Sequence, residues 1–139
     1  MKLRTALTGL VLVTLAPPLA AQDALDSAVA LAQEAFREHD VEALVATSDT
    51  VRLNIPGTAT AASLRPGQAA RLLERYLSPS QERDLVLVGL RRLAEDHAYA
   101  ELARSYVVKG TSEERLERVF LGFRKLDGSW RLREVRVTP

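Results

Sequence analysis

The 139-residue chain contains no cysteine and only two histidines, His39 and His97. Without a thiol it cannot form disulfides or thiolate metal sites, and it lacks the attachment point of a bacterial lipoprotein anchor. Neither histidine stands in a zinc-binding spacing, and three or four ligands must converge to hold a metal ion. We therefore expect a fold stabilised by packing alone, with no metal and no cofactor.

An excess of charge of either sign is also missing. The sequence has 19 basic and 18 acidic residues, and the part from position 22 onward keeps 17 basic and 18 acidic residues, a formal net charge of −1. Proteins that bind nucleic acid need a basic surface that neutralises phosphates. The balance of charge therefore argues against a nucleic-acid partner.

Long apolar runs are absent except at the N-terminus. There, Lys2 and Arg4 precede an uncharged, mostly apolar stretch from Thr5 to Ala16, which Pro17 ends. A membrane-spanning helix needs about 20 apolar residues, so this run is too short for an anchor and is typical of a secretory signal. Small residues follow it, and cleavage after Ala21 is permitted.

Cleavage there would leave residues 22–139, a length that suits one domain. We therefore predict a signal peptide over residues 1–21 and a single domain over residues 22–139. The protein is then expected to be periplasmic or secreted, with no membrane contact after cleavage.

Helical periodicity dominates the first half of the mature chain. Three segments carry apolar residues every three to four positions: Asp23 to Arg37, Val41 to Ala46 after a capping Asp40, and Pro66 to Leu77. Between the second and third helices, the alternation of Val51, Leu53 and Ile55 with polar residues predicts a short strand. The stretch from Thr58 to Ser63 predicts a loop with some extended pairing.

The second half predicts antiparallel strands. Four β-type segments follow Asp84 and are joined by hairpin connections. The pair Asp127-Gly128 matches a type I′ turn, which needs positive φ at both central residues. The apolar parity changes along the last strand, so we expect a bulge near Arg133 or Glu134.

Five segments carry a family resemblance: Val51 to Gly57, "GQAARLLERYL" from Gly67 to Leu77, "RVFLGFRK" from Arg118 to Lys125, Asp127-Gly128, and "EVRV" from Glu134 to Val137. With the element order, they make the chain similar to the nuclear transport factor 2-like superfamily, the α+β cone shared with ketosteroid isomerases, polyketide cyclases and dehydratases. More narrowly, the chain resembles a family of short exported bacterial proteins of unknown function. The resemblance implies three helices packed in the concave face of a curved antiparallel sheet. It specifies a fold rather than a chemistry.

Three carboxylates are the candidate catalytic groups: Asp49 before the first strand, and Glu101 and Glu134 within strands. Desolvation in an apolar cone would raise the pKa of such a group, which could then transfer protons near neutral pH. The alternative is that all three form ion pairs with arginines on a solvated face. The tyrosine and two aspartates of the steroid isomerases, and the histidine and aspartate of the dehydratases, are not in recognisable positions.

Tyr76, Tyr106 and Trp130 are the candidate ligand-binding residues, because an aromatic ring with a polar tip suits a small-molecule pocket. Each of them could instead fill the core. Six arginines crowd the last two strands and could bind an anion: Arg115, Arg118, Arg124, Arg131, Arg133 and Arg136. Acidic residues in the same hairpin favour cross-strand ion pairs as the simpler explanation.

The leading hypothesis is a non-catalytic exported module that binds a small apolar ligand in its cone or a protein partner on its sheet. The alternative is a small lyase or isomerase of the ketosteroid isomerase or dehydratase type with a carboxylate base, and a third is a purely structural dimer. Apolar residues on both parities of the strands, such as Val86 and Val88 beside Leu85 and Leu87, predict a homodimer through the outer face of the sheet.

Overall fold

The computed structural model describes residues 19–139, with side chains from Asp23 onward. Most of the predicted signal peptide lies outside the described residues, so its cleavage stays a prediction. The described helices and strands follow in the order α1 (Leu19–Arg37), α2 (Val41–Val45), β1 (Val51–Asn54), β2 (Ala61–Leu64), α3 (Pro66–Leu77), β3 (Ser80–Ala94), β4 (His97–Val108), β5 (Glu114–Leu126) and β6 (Ser129–Thr138).

The strands form one mixed sheet in the spatial order β2-β1-β6-β5-β4-β3. Strands β3 to β6 pair antiparallel with their chain neighbours, as the hairpin signals predict. Strand β1 instead pairs parallel with β6, with Leu53 opposite Val135. The purely antiparallel sheet expected from the sequence is therefore corrected at this pair, because alternation along a strand reports burial and not strand direction. The α+β class and the three packed helices are confirmed.

Helix α1 packs its apolar stripe against the sheet. It begins at Leu19, four residues before the predicted start, and ends where His39 takes a left-handed φ of 58°. Around that residue the N–H of Asp40 donates to the carbonyl of Ala35 at 2.8 Å, a Schellman-type helix end. From Asp23 onward, the buried positions of α1 are Leu25, Val29, Ala32, Ala35 and Phe36.

The elements after α1 follow the sequence closely. The carboxylate of Asp40 accepts the N–H of Ala43 at 3.1 Å and caps α2, and α3 has the predicted bounds. The segment predicted as a loop with extended pairing contains the first three of the four residues of β2, which pairs antiparallel with β1. Strand β3 begins at Ser80, before the predicted Asp84, because its polar first residues pair with β4.

Alternating residues of β4 and β5 line the concave face. On β4 they are Ala98, Ala100, Leu102, Arg104 and Tyr106, and on β5 they are Glu117, Val119, Leu121 and Phe123. All of these side chains are buried except Glu117, which is half-buried as a whole residue. Two ionisable side chains, Arg104 and Glu117, therefore lie at inward-facing positions that are otherwise mostly apolar.

The last hairpin confirms two local predictions. Asp127 and Gly128 have φ values of 50° and 79°, so both take the positive φ that a type I′ turn needs. Further along, Gly122 pairs with Glu134 and Phe123 pairs with Leu132, which leaves Arg133 as the extra residue of a bulge.

Exposed apolar side chains lie mainly on β3, at the free edge of the sheet. Val86, Val88 and Leu93 are 48%, 51% and 66% exposed. On β5, Val119 and Leu121 are fully buried on the concave face, and the outward parity adds Leu116, which is 73% exposed, and the half-buried Phe120. The patch expected on the outer face is therefore centred on one edge strand.

Candidate functional site

Arg104 lies on the concave face of β4 with a fully buried side chain. Its Nε donates to the two carboxylate oxygens of Glu82 at 2.9 and 3.1 Å, and its Nη1 donates to Glu117 at 3.0 Å. The strand register explains this contact, since Arg104 pairs with Glu117 on β5 while Glu82 comes from β3 on the other side. A buried guanidinium must be paired to be tolerated, and here two carboxylates pair with it.

Three aromatic rings surround this guanidinium. Its Cζ lies 4.0 Å from the ring centroid of Tyr106, 5.4 Å from that of Tyr76 and 5.5 Å from that of Phe36, all within cation–π range. Both tyrosine hydroxyls donate to Glu117, and the hydroxyl of Tyr76 also accepts from Arg104 Nη1 at 2.8 Å. The predicted ligand-binding residues Tyr76 and Tyr106 therefore meet, but around an internal ion pair.

His39 contacts the same ion pair from the end of α1. Its Nε2 lies 2.8 Å from Glu82 Oε1, and its ring is 24% exposed. Arg104, Glu82, Glu117, Tyr76, Tyr106 and His39 are here called the Arg104 cluster. The other histidine, His97, is half-exposed, begins β4, and has its Nδ1 2.8 Å from Asp96 Oδ1.

Burial is the first influence on the pKa of Tyr76, Tyr106 and Arg104. Burial, and then the hydrogen bond to Glu117, raise the pKa of Tyr76 far above its usual range, and the same two causes raise the pKa of Tyr106. Burial by itself would lower the pKa of Arg104, but the hydrogen bond to Glu82 and the neighbouring tyrosine and carboxylates raise it. Near neutral pH the tyrosines therefore stay neutral and the guanidinium stays charged.

The Arg104 cluster suits stability better than proton transfer. A general base needs a lone pair directed at a substrate. Glu117 already accepts hydrogen bonds from Arg104, Tyr76 and Tyr106, and Glu82 is engaged by Arg104 and His39. Networks that are satisfied in this way make a core rigid and specific.

A cavity of about 270 Å³ lies between α1, α2 and the opposite end of the sheet. We call it the Trp130 cavity. Its lining is apolar apart from one threonine and the indole: Ala28, Leu31, Ala32, Ala43, Leu44, Thr47, Phe123, Trp130 and Leu132. On β5, the partner positions of Trp130 and Arg104 are Lys125 and Glu117, eight residues apart, or roughly 26 Å along an extended strand. The cavity and the Arg104 cluster therefore occupy different ends of the concave face.

Trp130 is the predicted ligand-binding residue that lies in a cavity wall. Its side chain is 7% exposed, and its Nε1 is buried without a hydrogen-bond partner in the described part of the chain. The guanidinium of Arg92 lies 5.3 Å from the centroid of its ring, and the amine of Lys125 lies 6.0 Å from it. A buried donor left without an acceptor costs about 1–3 kcal/mol and needs a physical explanation.

The three candidate carboxylates do not converge. Asp49 is exposed at the end of the sheet near Trp130, with its Oδ1 3.4 Å from Arg131. Glu101 lies on the outer face of β4, 3.8 Å from Arg118, and Glu134 lies on the outer face of β6. Two of the three are thus paired with arginines, the alternative that the sequence left open. Within residues 23–139, no group of three metal-ligating side chains gathers, and no helix combines the length and apolarity that crossing a membrane requires.

Comparison with known proteins by sequence finds no matching family model and no matching curated protein. Solved structures do match. A ketosteroid isomerase-like protein from Erwinia carotovora atroseptica superposes with a TM-score of 0.67 at 20% identity, over 84% of this chain and 96% of that one. A DUF4783 family protein from Bacteroides uniformis gives a TM-score of 0.65 at 15% identity, over 78% and 93% of the two chains.

A third match is a nuclear transport factor 2-like protein with a cystatin-like fold from Novosphingobium aromaticivorans, with a TM-score of 0.60, 20% identity and coverage of 86% and 81%. The chain has the nuclear transport factor 2-like fold. The resemblance stated from the sequence is thereby confirmed for the architecture. At these identities the match identifies the fold alone, and the nuclear transport factor 2-like fold supports many chemistries.

The Arg104 cluster went unrecognised in the sequence, although one signal for it exists. On β4 the apolar parity reads Ala98, Ala100 and Leu102 before it reaches Arg104, and a charge on that parity must be buried. Its partners are 22 and 13 residues away in sequence, on different strands of the nuclear transport factor 2-like sheet. Periodicity identifies the buried charge but not the groups that neutralise it.

Proposed function

We propose that the protein is a non-catalytic module that binds a small apolar ligand in the Trp130 cavity. The observation that carries this proposal is a buried indole N–H with no acceptor, in the wall of an otherwise apolar cavity. A ligand with one acceptor atom on an apolar body would bury the lining and satisfy the donor together. Ligand pockets commonly combine an apolar lining with a few placed polar groups in this way.

The lining favours binding over acid–base catalysis. None of the nine residues around the Trp130 cavity is ionisable near neutral pH, and a proton-transfer enzyme needs a titrating group within hydrogen-bond reach of its substrate. The alternative of an isomerase or lyase would require one of Asp49, Glu101 or Glu134 to reach this cavity. Their exposed or outward positions give that alternative less support.

Isothermal titration calorimetry with acetophenone and ethylbenzene tests the proposal. The two probes have similar size, but only acetophenone carries a carbonyl that can accept from Trp130 Nε1. We expect acetophenone to bind more tightly by about fivefold or more, the worth of one hydrogen bond. Trp130→Phe should keep the aromatic wall and remove this preference.

Blocking the cavity supplies the matched control. Ala28→Leu adds a larger side chain to the lining of the Trp130 cavity, whereas Ala24→Leu adds the same group to an exposed position of α1. Binding of both probes should weaken in the first variant and persist in the second. Unchanged binding in Ala28→Leu would remove this cavity from the proposal.

A protein partner is the second candidate, and the exposed apolar side chains of β3 favour it. Val86, Val88 and Leu93 stand on a free-edge strand, which is a surface that soluble proteins usually cover. The partner we propose is a second copy of the chain, since a two-fold contact covers such a patch on both copies at once. Light scattering coupled to size exclusion should report twice the monomer mass. Val88→Arg should halve it and Leu31→Arg, a change at an exposed apolar residue on α1, should not.

The N-terminal sequence supports export after removal of residues 1–21 and action in the periplasm or outside the cell. The balance of charge argues against a nucleic-acid partner. These statements stay predictions.

A further inference from the structure

A groove of about 380 Å³ crosses the outer face of the sheet at the β5–β6 bulge, away from the Trp130 cavity. Its floor is open because Gly122 contributes no side chain there, and a Cβ at that position would come within 3.1 Å of the Cβ of Glu134. The bulged residue Arg133 lies on one side of this floor and Tyr99, which pairs with Gly122, lies on the other. The groove has the size of an ordinary small-ligand site.

The groove has an excess of positive charge. Arg124, Arg133 and Arg136 all line it, and Glu134 is the one carboxylate in its lining. None of the three arginines forms an ion pair within the described residues, whereas Arg115, Arg118 and Arg131 on the same two strands do. Ion pairs therefore account for half of these six arginines, but only the Arg118–Glu101 pair joins two strands, β5 and β4. Arg115 pairs with Glu113 two residues earlier and Arg131 pairs with Asp49 before β1, so these pairs are not the cross-strand pairs expected within the last hairpin. The other half gather around one groove.

One of these arginines has a buried donor without an acceptor. The Nε of Arg124 is buried and has no hydrogen-bond partner in the described part of the chain. Hydrogen bonds from a guanidinium to a carboxylate are strong and often bidentate, so a planar anion is the ligand that fits such a donor.

Aromatic rings form the neighbouring part of the groove. The ring centroids of Tyr99 and Phe120 lie 6.5 Å apart with the ring planes tilted by 56°, and the guanidinium of Arg136 lies 4.4 Å from the centroid of Phe120. Rings in tilted or stacked arrangements attract a further aromatic group beyond the contribution of buried area. The apolar and the cationic parts of the groove are adjacent.

We propose that this groove binds a small aromatic carboxylate. The carboxylate accepts hydrogen bonds from Arg124 and Arg133, and the ring of the ligand contacts Tyr99 and Phe120. This second site is distinct from the Trp130 cavity, because the two lie on opposite faces of the sheet and Phe123 is the one lining residue that they share.

Calorimetric titration with 2-naphthoate and 2-naphthamide tests the proposal, since the two probes share a ring system and differ in charge. Naphthoate should bind at least about tenfold more tightly than naphthamide, because the amide loses the charge-assisted hydrogen bonds. Arg124→Gln should weaken naphthoate binding by about tenfold and leave naphthamide binding unchanged. Equal affinity for the two probes would overturn the proposal.

Control variants separate the site from general electrostatics and from loss of folding. Arg115→Gln removes the same charge from an exposed arginine that is paired with Glu113, and naphthoate affinity should not change. If Arg124→Gln does not fold, Arg133→Gln provides the same test at the bulge. If Arg115→Gln lowers naphthoate affinity as much as the groove variants do, the ligand is attracted by net charge alone and the assigned site is overturned. Ala28→Leu in the Trp130 cavity should leave naphthoate binding intact.

Discussion

The two ends of the concave face treat their buried polar groups in opposite ways. In the Arg104 cluster, a guanidinium, two carboxylates, two hydroxyls and an imidazole bond one another. At the other end, the indole N–H of Trp130 is buried with no acceptor among the described residues, beside an apolar cavity. One end of the cone is thus completed by the chain itself, while the other is the end at which we propose that a ligand binds.

This difference has an energetic consequence. Removing one member of a satisfied buried network leaves its partners desolvated and unpaired, which is costly. Changing a residue beside an unfilled cavity removes less, because fewer contacts exist to be lost. Stability should therefore depend on the Arg104 cluster, and ligand binding on the Trp130 cavity.

Removal of the Arg104 charge should have the largest effect. Arg104→Met keeps much of the side-chain volume but leaves Glu82 and Glu117 as buried carboxylates without a cation. We expect the free energy of unfolding to fall by about 3–5 kcal/mol. Urea denaturation measures it, with Arg118→Met as the control because Arg118 forms a long, exposed pair with Glu101. A loss below about 1 kcal/mol, as for the control, would mean that the cluster does not stabilise the fold.

The hydroxyl of Tyr76 should have a smaller, pH-dependent effect. Tyr76→Phe removes a donor to Glu117 and an acceptor from Arg104, at a cost of about 1–3 kcal/mol near neutral pH. Because folding raises the pKa of Tyr76, this contribution is present below the unfolded tyrosine pKa of about 10 and is lost as the pH rises toward the folded pKa. The difference in the free energy of unfolding between wild type and Tyr76→Phe should therefore narrow above about pH 10.

Urea denaturation of both proteins at neutral and alkaline pH measures this narrowing. Tyr99→Phe is the control, since that tyrosine lies on the outer face and outside the cluster. A difference between wild type and Tyr76→Phe that stays constant across this pH range would show that the Tyr76 hydroxyl titrates alike in the folded and unfolded chains.

The stability of the β5–β6 hairpin, which contains Trp130, should depend on the Asp127-Gly128 turn. Gly128→Val places a β-branched residue at a φ of 79°, which such residues resist, so the protein should lose about 1 kcal/mol or more of stability. The same variant should perturb binding to the Trp130 cavity more than it perturbs the Arg104 cluster. Denaturant midpoints measure the loss of stability, and acetophenone titrations measure the change in binding to the cavity. An unchanged midpoint would exclude strain at this turn.

Cleavage of the predicted signal peptide should have the smallest effect on the stability of the domain. Among the side chains of α1 that the structure describes, the first buried one is Leu25, so a chain that starts at Gln22 keeps every buried contact described for this helix. Mass spectrometry of protein exported from a Gram-negative host should show Gln22 as the first residue. A mature form that retains Leu10 to Leu15 would contradict the predicted signal peptide.

Sequence reasoning succeeded where structure is determined locally. The Asp40 cap, the bounds of α3, the Asp127-Gly128 turn and the bulge at Arg133 depend on residues a few positions apart, and each is confirmed. The parallel β1–β6 pair and the Arg104 cluster depend on strands far apart in the chain. Pairing direction and neutralising partners across such distances leave no periodic signal in one sequence.

The most direct test of the contrast between the two ends uses the only tryptophan of the chain. A ¹H–¹⁵N correlation spectrum should show a single indole resonance for Trp130, and an arginine Nε resonance can be assigned to Arg104 by its loss in Arg104→Met or, if that variant is unfolded, in Arg104→Lys. On titration with acetophenone, we predict that the Trp130 indole resonance shifts markedly while the Arg104 Nε resonance stays in place, and that ethylbenzene shifts the indole less. A stationary indole resonance, or an Arg104 resonance that moves as far as the indole, would contradict the assignment of binding to one end and stability to the other.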